Sequence, residues 1–295
     1  MPTEIARARQ LLSHLASKPD ATVEDYRTLY EEVLAHFVLP DDARCERVVV
    51  NGVPCIWVTA PGADYQRATI YVHGGGWSMG SASGYQELAY RFSVETGSRV
   101  LVVDYRLAPE NPYPAPNDDV LAVYRWLRNQ PEFERIAIAG DSAGGGITTG
   151  VTLALRDAGD TAPDALVLLS PLVDLTGEAA SLTERANVDP LPAAALVQQM
   201  GGAYLQGRDP RETPYGSPLH ANLEKMPPTL IFVGTDEGLF DDSVRLADRI
   251  KNAGGSVTLE IGEGMIHIYP LFNFLPEAKT ALEIAGRFLR ERFET

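Results

Sequence analysis

Cysteine is scarce in this chain: two residues, Cys45 and Cys55, in 295. They flank Asn51-Gly52, a turn signal between the apolar runs "RVVV" and "CIWVTA", which predicts a β-hairpin. A tight turn there sets Cys45 opposite the neighbourhood of residue 58 and Cys55 opposite that of residue 48, so no disulfide is expected between them. Long apolar runs are missing too, and nothing approaches the ~18 consecutive residues that a membrane span needs. Charges interrupt every apolar stretch of "MPTEIARARQLLSHLASKPD", so it does not read as a signal peptide. Together with unpaired cysteines this makes a cytoplasmic location the expectation. Basic clusters are absent. With 40 acidic against 25 basic residues the net charge is −15, a surface that repels phosphate backbones and anionic lipid. Nucleic acid and membranes are therefore not expected as partners. No C-x-x-C, H-E-x-x-H or EF-hand spacing occurs, and neither G-K-[ST] nor G-x-G-x-x-G, so neither a metal nor a nucleotide cofactor is expected.

Apolar residues make up 45% of the chain, which is ample for a globular core. Residues 1–40 read as two amphipathic helices; in the second, Val23, Tyr26, Tyr30, Val33 and Phe37 recur at helical spacing behind the N-cap Thr22. After the hairpin, strand-length apolar runs occur at 68–72, 100–104, 136–140, 165–170, 229–234 and 256–262. Helix-length stretches separate most of them, at 84–96, 117–128, 143–158 and 241–253. Strands apolar throughout, alternating with helices, predict a parallel sheet covered on both faces. The interval between the runs ending at 170 and beginning at 229 breaks this rhythm. It contains a helical stretch, 190–205, and reads as an insertion that forms a lid.

The chemistry gathers after strands. "IAIAGDSAGGG" places Ser142 between Gly140 and Gly144, where a strand ends and a helix begins, the context of a nucleophile elbow. Alone, G-x-S-x-G serves equally as a small-residue turn. "YVHGGGWSMG" sets Gly74, Gly75 and Gly76 after an earlier strand, where bare backbone N–H groups can face a ligand as in an oxyanion hole; alone, it reads as a flexible loop. Of five histidines, His14 and His36 lie on the N-terminal helices, His73 shapes the glycine turn, and His220 has nothing nearby that suggests a reaction. His267, in the loop after the last strand, is the base by elimination and by place. The preceding strand offers Asp236 or Glu237 as its acid, while Asp241 and Asp242 start a helix and suit its positive end.

"HGGGW", "GDSAG", "DYRLAPENPYPAPNDD" (104–119) and "GMIH", in this order, resemble the hormone-sensitive-lipase-like family of α/β-hydrolase esterases over about residues 45–290. The resemblance implies an α/β-hydrolase fold: a mostly parallel eight-stranded sheet with helices on both faces, a catalytic core of 41–295, and a helical cap from residues 1–40 and an insertion at about 177–208. It implies hydrolysis of short- to medium-chain carboxylic esters without a cofactor. Ser142 is then the nucleophile, His267 the base and Asp236 its orienter, with an oxyanion hole from the N–H groups of Gly75, Gly76 and Ala143. A homodimer through the edge at 256–262 is also suggested by the resemblance. Two departures stand out. "DEGLFDD" is one residue longer than the usual acid motif, and a gapless match puts Glu237 in the acid position. Ile268-Tyr269 replaces the Gly-Phe common after the histidine, which predicts a narrower pocket. Arg106 and Glu110 are expected to support the glycine loop. A lactone, amide or formyl hydrolase would carry the same triad, and a ligand-binding protein on this fold is a further alternative.

Overall fold

The computed structural model describes residues 3–18 and 20–294. Its sheet begins at the predicted hairpin. Asn51 and Gly52 both take positive φ (50° and 86°), as a two-residue hairpin turn requires, and join β1 (Arg44–Val50) to β2 (Val53–Thr59). The register pairs Cys45 with Val58 and Val48 with Cys55, so the two thiols lie apart and both are free. The remaining strands are β3 (Asp64–Val72), β4 (Ser98–Val103), β5 (Arg135–Asp141), β6 (Leu166–Leu169), β7 (Thr229–Gly234) and β8 (Val257–Gly262). They form one eight-stranded sheet in the order β1-β2-β4-β3-β5-β6-β7-β8. Pairing is antiparallel from β1 through β4 and parallel from there to β8.

Side chains alternate across each strand, so the sheet feeds two cores. Ile70, Val72, Leu101 and Ile138 pack with α4 (Ala115–Arg128), α5 (Ser142–Ala158) and α8 (Phe240–Asn252). Tyr71, Val100, Val102 and Ala139 pack with α3 (Gln86–Thr96) and α9 (Pro276–Phe293) on the other face. The central strands β6 and β7 are buried at every position, which is why they read as unbroken apolar runs.

Two N-terminal helices, α1 (Glu4–His14) and α2 (Val23–Leu34), join the second core. Thr22 caps α2 as expected and forms a reciprocal capping box with Asp25. The long interval after β6 carries a one-turn helix, α6 (Ser181–Glu184), absent from the sequence reading, and α7 (Ala193–Leu205). Prolines at 190 and 192 delay α7 relative to the predicted start at 190. Helices α1, α2 and α7 roof the carboxyl ends of the central strands, and the site lies under them.

Candidate active site

Strand β5 ends at Asp141 and α5 begins at Ser142 with no loop between. The turn is sharp enough to force Ser142 to φ +50°, a left-handed conformation costing a non-glycine residue ~1–2 kcal/mol. The flanking glycines are steric necessities. A Cβ on Gly140 would run into the Gly144 carbonyl, and one on Gly144 into the Val72 carbonyl of the neighbouring strand.

The Ser142 Oγ lies 3.0 Å from His267 Nε2, and His267 Nδ1 lies 2.6 Å from Glu237 Oε2. Glu237 is fully buried. Its other oxygen accepts from Gly234 N–H (2.6 Å) and Ser170 Oγ (2.8 Å), and Ser170 Oγ in turn accepts from Ile268 N–H (3.1 Å). The carboxylate thus holds both the end of its own strand and, through Ser170, the residue after the histidine. Facing this acceptor, Nδ1 carries the proton and Nε2 presents its lone pair to the serine. Burial works against the imidazolium, but the hydrogen bond and charge of Glu237 outweigh it and raise the His267 pKa above its ordinary value.

Asp236, the acid expected from the family pattern, is not at the histidine. Its side chain turns outward to an ion pair with Arg9 of α1, while its backbone N–H donates to the Met265 carbonyl (2.9 Å). Consecutive residues of the turn after β7 point to opposite sides, and the inward side chain is that of Glu237. The extra residue in "DEGLFDD" was the signal for this exchange.

On the far side of the serine, the glycine loop leaves β3 with positive φ at Gly75 (103°), Gly76 (58°) and Trp77 (59°). Among the described residues, the N–H groups of Gly75 and Gly76 have no protein acceptor. That of Ala143 lies in the first turn of α5, where no helical carbonyl precedes it. Any Cβ on Gly76 would collide with Met200 Sδ from α7. His73 is buried, bonded through Nδ1 to the Gly74 carbonyl (2.8 Å) and stacked on Tyr105. Burial lowers its pKa to about 4, so it shapes the loop as a neutral ring. Of the two charged residues expected to brace this loop, only Glu110 reaches it, through Arg27. Arg106 instead pairs with Asp119 on α4. His220 pairs with Asp174 (2.9 Å), away from the serine.

Ser142, His267, Gly75 and Gly76 form the floor of a cavity of about 70 Å³. Its walls are apolar, with Leu12 and Leu15 near α1, Leu196, Val197 and Met200 of α7, and Ile268 beside the histidine. Of the pair Ile268-Tyr269, Ile268 lines this space and Tyr269 does not. Among the described residues, no group of three His, Cys, Asp or Glu side chains is disposed to hold a metal, and no helix is long and apolar enough to cross a membrane.

Residues 69–271 match a family described as alpha/beta hydrolase fold. An acetyl-hydrolase of Streptomyces hygroscopicus is 37% identical, covering 97% of this chain and 96% of that protein. Carboxylesterase NlhH of Mycobacterium tuberculosis is 31% identical, over 97% of this chain and 87% of its own length. Among solved structures, an esterase from the bacterial hormone-sensitive lipase family superposes with a TM-score of 0.95, at 40% identity and 99% coverage of both chains.

Proposed function

We propose that this chain, which belongs to the α/β-hydrolase fold family and is a carboxylesterase of its hormone-sensitive-lipase-like branch, cleaves short-chain esters through a Ser142–His267–Glu237 triad and an acyl-enzyme. The observation that carries this reading is the unbroken line Ser142 Oγ, His267, Glu237, with spacings of 3.0 and 2.6 Å at the floor of an apolar cavity.

In the first half-reaction Ser142 Oγ attacks the ester carbonyl and His267 Nε2 takes its proton. The tetrahedral oxyanion rests on the N–H groups of Gly75, Gly76 and Ala143, each donor being worth ~10²–10³ in rate. The carbon–alkoxide bond then breaks, and His267 returns the proton to the departing alcohol. Water repeats the sequence on the acyl-enzyme, giving its proton to His267 and releasing the carboxylic acid and the free serine. Glu237 stays ionised throughout, fixing the imidazole tautomer and stabilising the imidazolium.

The acyl preference follows from volume. One water needs ~10–15 Å³ of such space, so a cavity of about 70 Å³ accepts a few non-hydrogen atoms in a row. Helices α1, α2, α6 and α7 act as the cap over it, within the segments 1–40 and 177–208. The direct test is hydrolysis of nitrophenyl acetate, butyrate, octanoate and palmitate by wild type and Ser142→Ala. Turnover should peak at acetate or butyrate and fall by ~10⁴ or more in the variant. Turnover independent of Ser142, or a palmitate optimum, would overturn the reading.

A further inference from the structure

On the proposed esterase reading, the rate depends on what holds the oxyanion loop in place. Residues 74–78 include three glycines; Trp77 is anchored in the middle by its buried ring, stacked on Tyr204, and by its carbonyl, which accepts from Ala108 N–H (2.8 Å), while the two flanks are held by polar partners outside the loop. At one end, Gly74 N–H donates to Asp141 Oδ1 (3.0 Å). The buried Asp141 carboxylate also accepts from Tyr71 (3.0 Å) and Tyr85 (2.8 Å), and the Tyr85 hydroxyl lies 2.5 Å from that of Tyr30 on α2. An ionised carboxylate only accepts, so the Tyr85 proton points to Asp141 and Tyr30 must be the donor to Tyr85. At the other end, the Ser78 carbonyl accepts from Arg27 Nε (2.9 Å). Arg27, also on α2, is braced by the Ala108 carbonyl (3.2 Å) and by both oxygens of Glu110 (2.9 and 2.6 Å).

Arg27 and Tyr30 are three residues apart and share one face of α2. One helix therefore grips both ends of the loop: directly at Ser78, and through Tyr85 and Asp141 at Gly74. Tyr30 also faces the substrate cavity. We infer that α2 is part of the oxyanion device, with Arg27 and Tyr30 as positioning residues that hold the loop's N–H groups on the developing charge.

An α2 that positions the loop and an α2 that only walls the cavity differ in what their variants do to the rate. Removing a positioning contact lets the donors drift, and displacements near 1 Å cost up to ~10²-fold in rate. Tyr30→Phe and Arg27→Gln should each lower kcat for nitrophenyl butyrate by about 10- to 100-fold, with KM within about twofold. Each should weaken binding of a short-chain trifluoromethyl ketone, which forms a tetrahedral adduct on the serine, by the same factor. The Tyr30→Phe/Tyr85→Phe double variant should be no worse than the poorer single one, because both break the same line. Tyr30→Phe with Arg27→Gln should multiply, because they act at opposite ends.

A raised KM or an altered chain-length preference, with kcat and ketone affinity unchanged, would make α2 only a wall and overturn the inference. Thermal midpoints establish that each variant folds. Should Tyr30→Phe not fold, Arg27→Lys and Glu110→Gln, which leave the cavity untouched, carry the same expectation with a smaller loss. Serine-dependent turnover by the wild type is measured first. Its absence would defeat the esterase reading itself, whereas an active wild type with variants of equal rate would defeat only the role given to α2.

Discussion

Both oxygens of Glu237 are engaged inside the protein, one by His267 and the other by Gly234 N–H and Ser170. Glu237→Gln keeps the shape but presents an NH₂ group where an acceptor is needed, on one side or the other. It should lower kcat by about 10³–10⁴-fold, as loss of a triad orienter does. Asp236→Asn touches a part-exposed pair with Arg9 and a hydrogen bond from Thr235 Oγ1 (3.1 Å), neither at the histidine, and should stay within about threefold. Steady-state rates on nitrophenyl butyrate decide between them, and a larger loss at Asp236 would reverse the assignment. The pH profile gives an independent check. His267 must be neutral to act as base, and its pKa is raised, so the acidic limb of kcat/KM should have its midpoint above ~6.5. In Glu237→Gln the hydrogen bond and charge that oppose burial most strongly are gone, leaving only the charges of Asp189 and Asp141 against it, so the residual activity should show that limb moved to lower pH. At this scale the sequence marks Ser142 by its glycines and His267 by its place after the last strand. Between Asp236 and Glu237 its one signal is the extra residue of "DEGLFDD", because adjacent residues after a strand otherwise differ only in which way the turn aims them.

The insertion shows what is legible at the scale of an element. The helical character of α7 is visible in its composition, and its role as a lid in the length of the interval. What fastens it to the core is not, since the ties join residues far apart in sequence. Arg9 reaches the Val188 carbonyl (2.6 Å) as well as Asp236, and Arg185 reaches the Thr235 carbonyl. Asp189 accepts from Gly238 N–H (2.6 Å), one residue past Glu237. The insertion and the acid loop therefore form one unit, and α7 is held with Met200 directly over Gly76. On the proposed reading, Met200 is the residue expected to bound the acyl site. Met200→Ala should raise the kcat/KM ratio of octanoate to acetate several-fold. It should also cost about 2–5 kcal/mol of stability, the usual loss for truncating a buried Met. An unchanged ratio in a folded variant would place the end of the acyl site elsewhere.

For the molecule as a whole, alternation of apolar runs with helices predicts the parallel sheet, and the hairpin predicts its antiparallel edge. The buried charges were less visible, because a carboxylate at a helix start reads as a surface residue. Asp242 is one of these. It begins α8 as expected, yet it is 1% exposed and accepts from the Val173 and Asp174 N–H groups (2.8 and 2.9 Å). Burial pushes its pKa up to about 7, and Asp141 is likewise raised to about 6. A carboxyl whose pKa is higher folded than unfolded binds more protons in the native state. The stability it contributes is fully present below its ordinary value near 4 and is lost as pH rises through the folded value. His73, lowered to about 4 by burial, works in the opposite sense, adding stability as pH rises, but that gain is complete once the unfolded imidazole has titrated near 6.5. Above that point Asp242 and the raised His267 act without opposition, and stability should fall between pH 6.5 and 8. Self-repulsion at a net charge of −15 adds to the trend. The thermal midpoint at constant ionic strength should therefore drop by a few degrees across this interval. Asp242→Asn keeps an oxygen for the two backbone donors and removes the titration, so its midpoint should be the flatter of the two and the higher at pH 8. Parallel slopes for the variant and the wild type would show that Asp242 is already ionised when the fold forms.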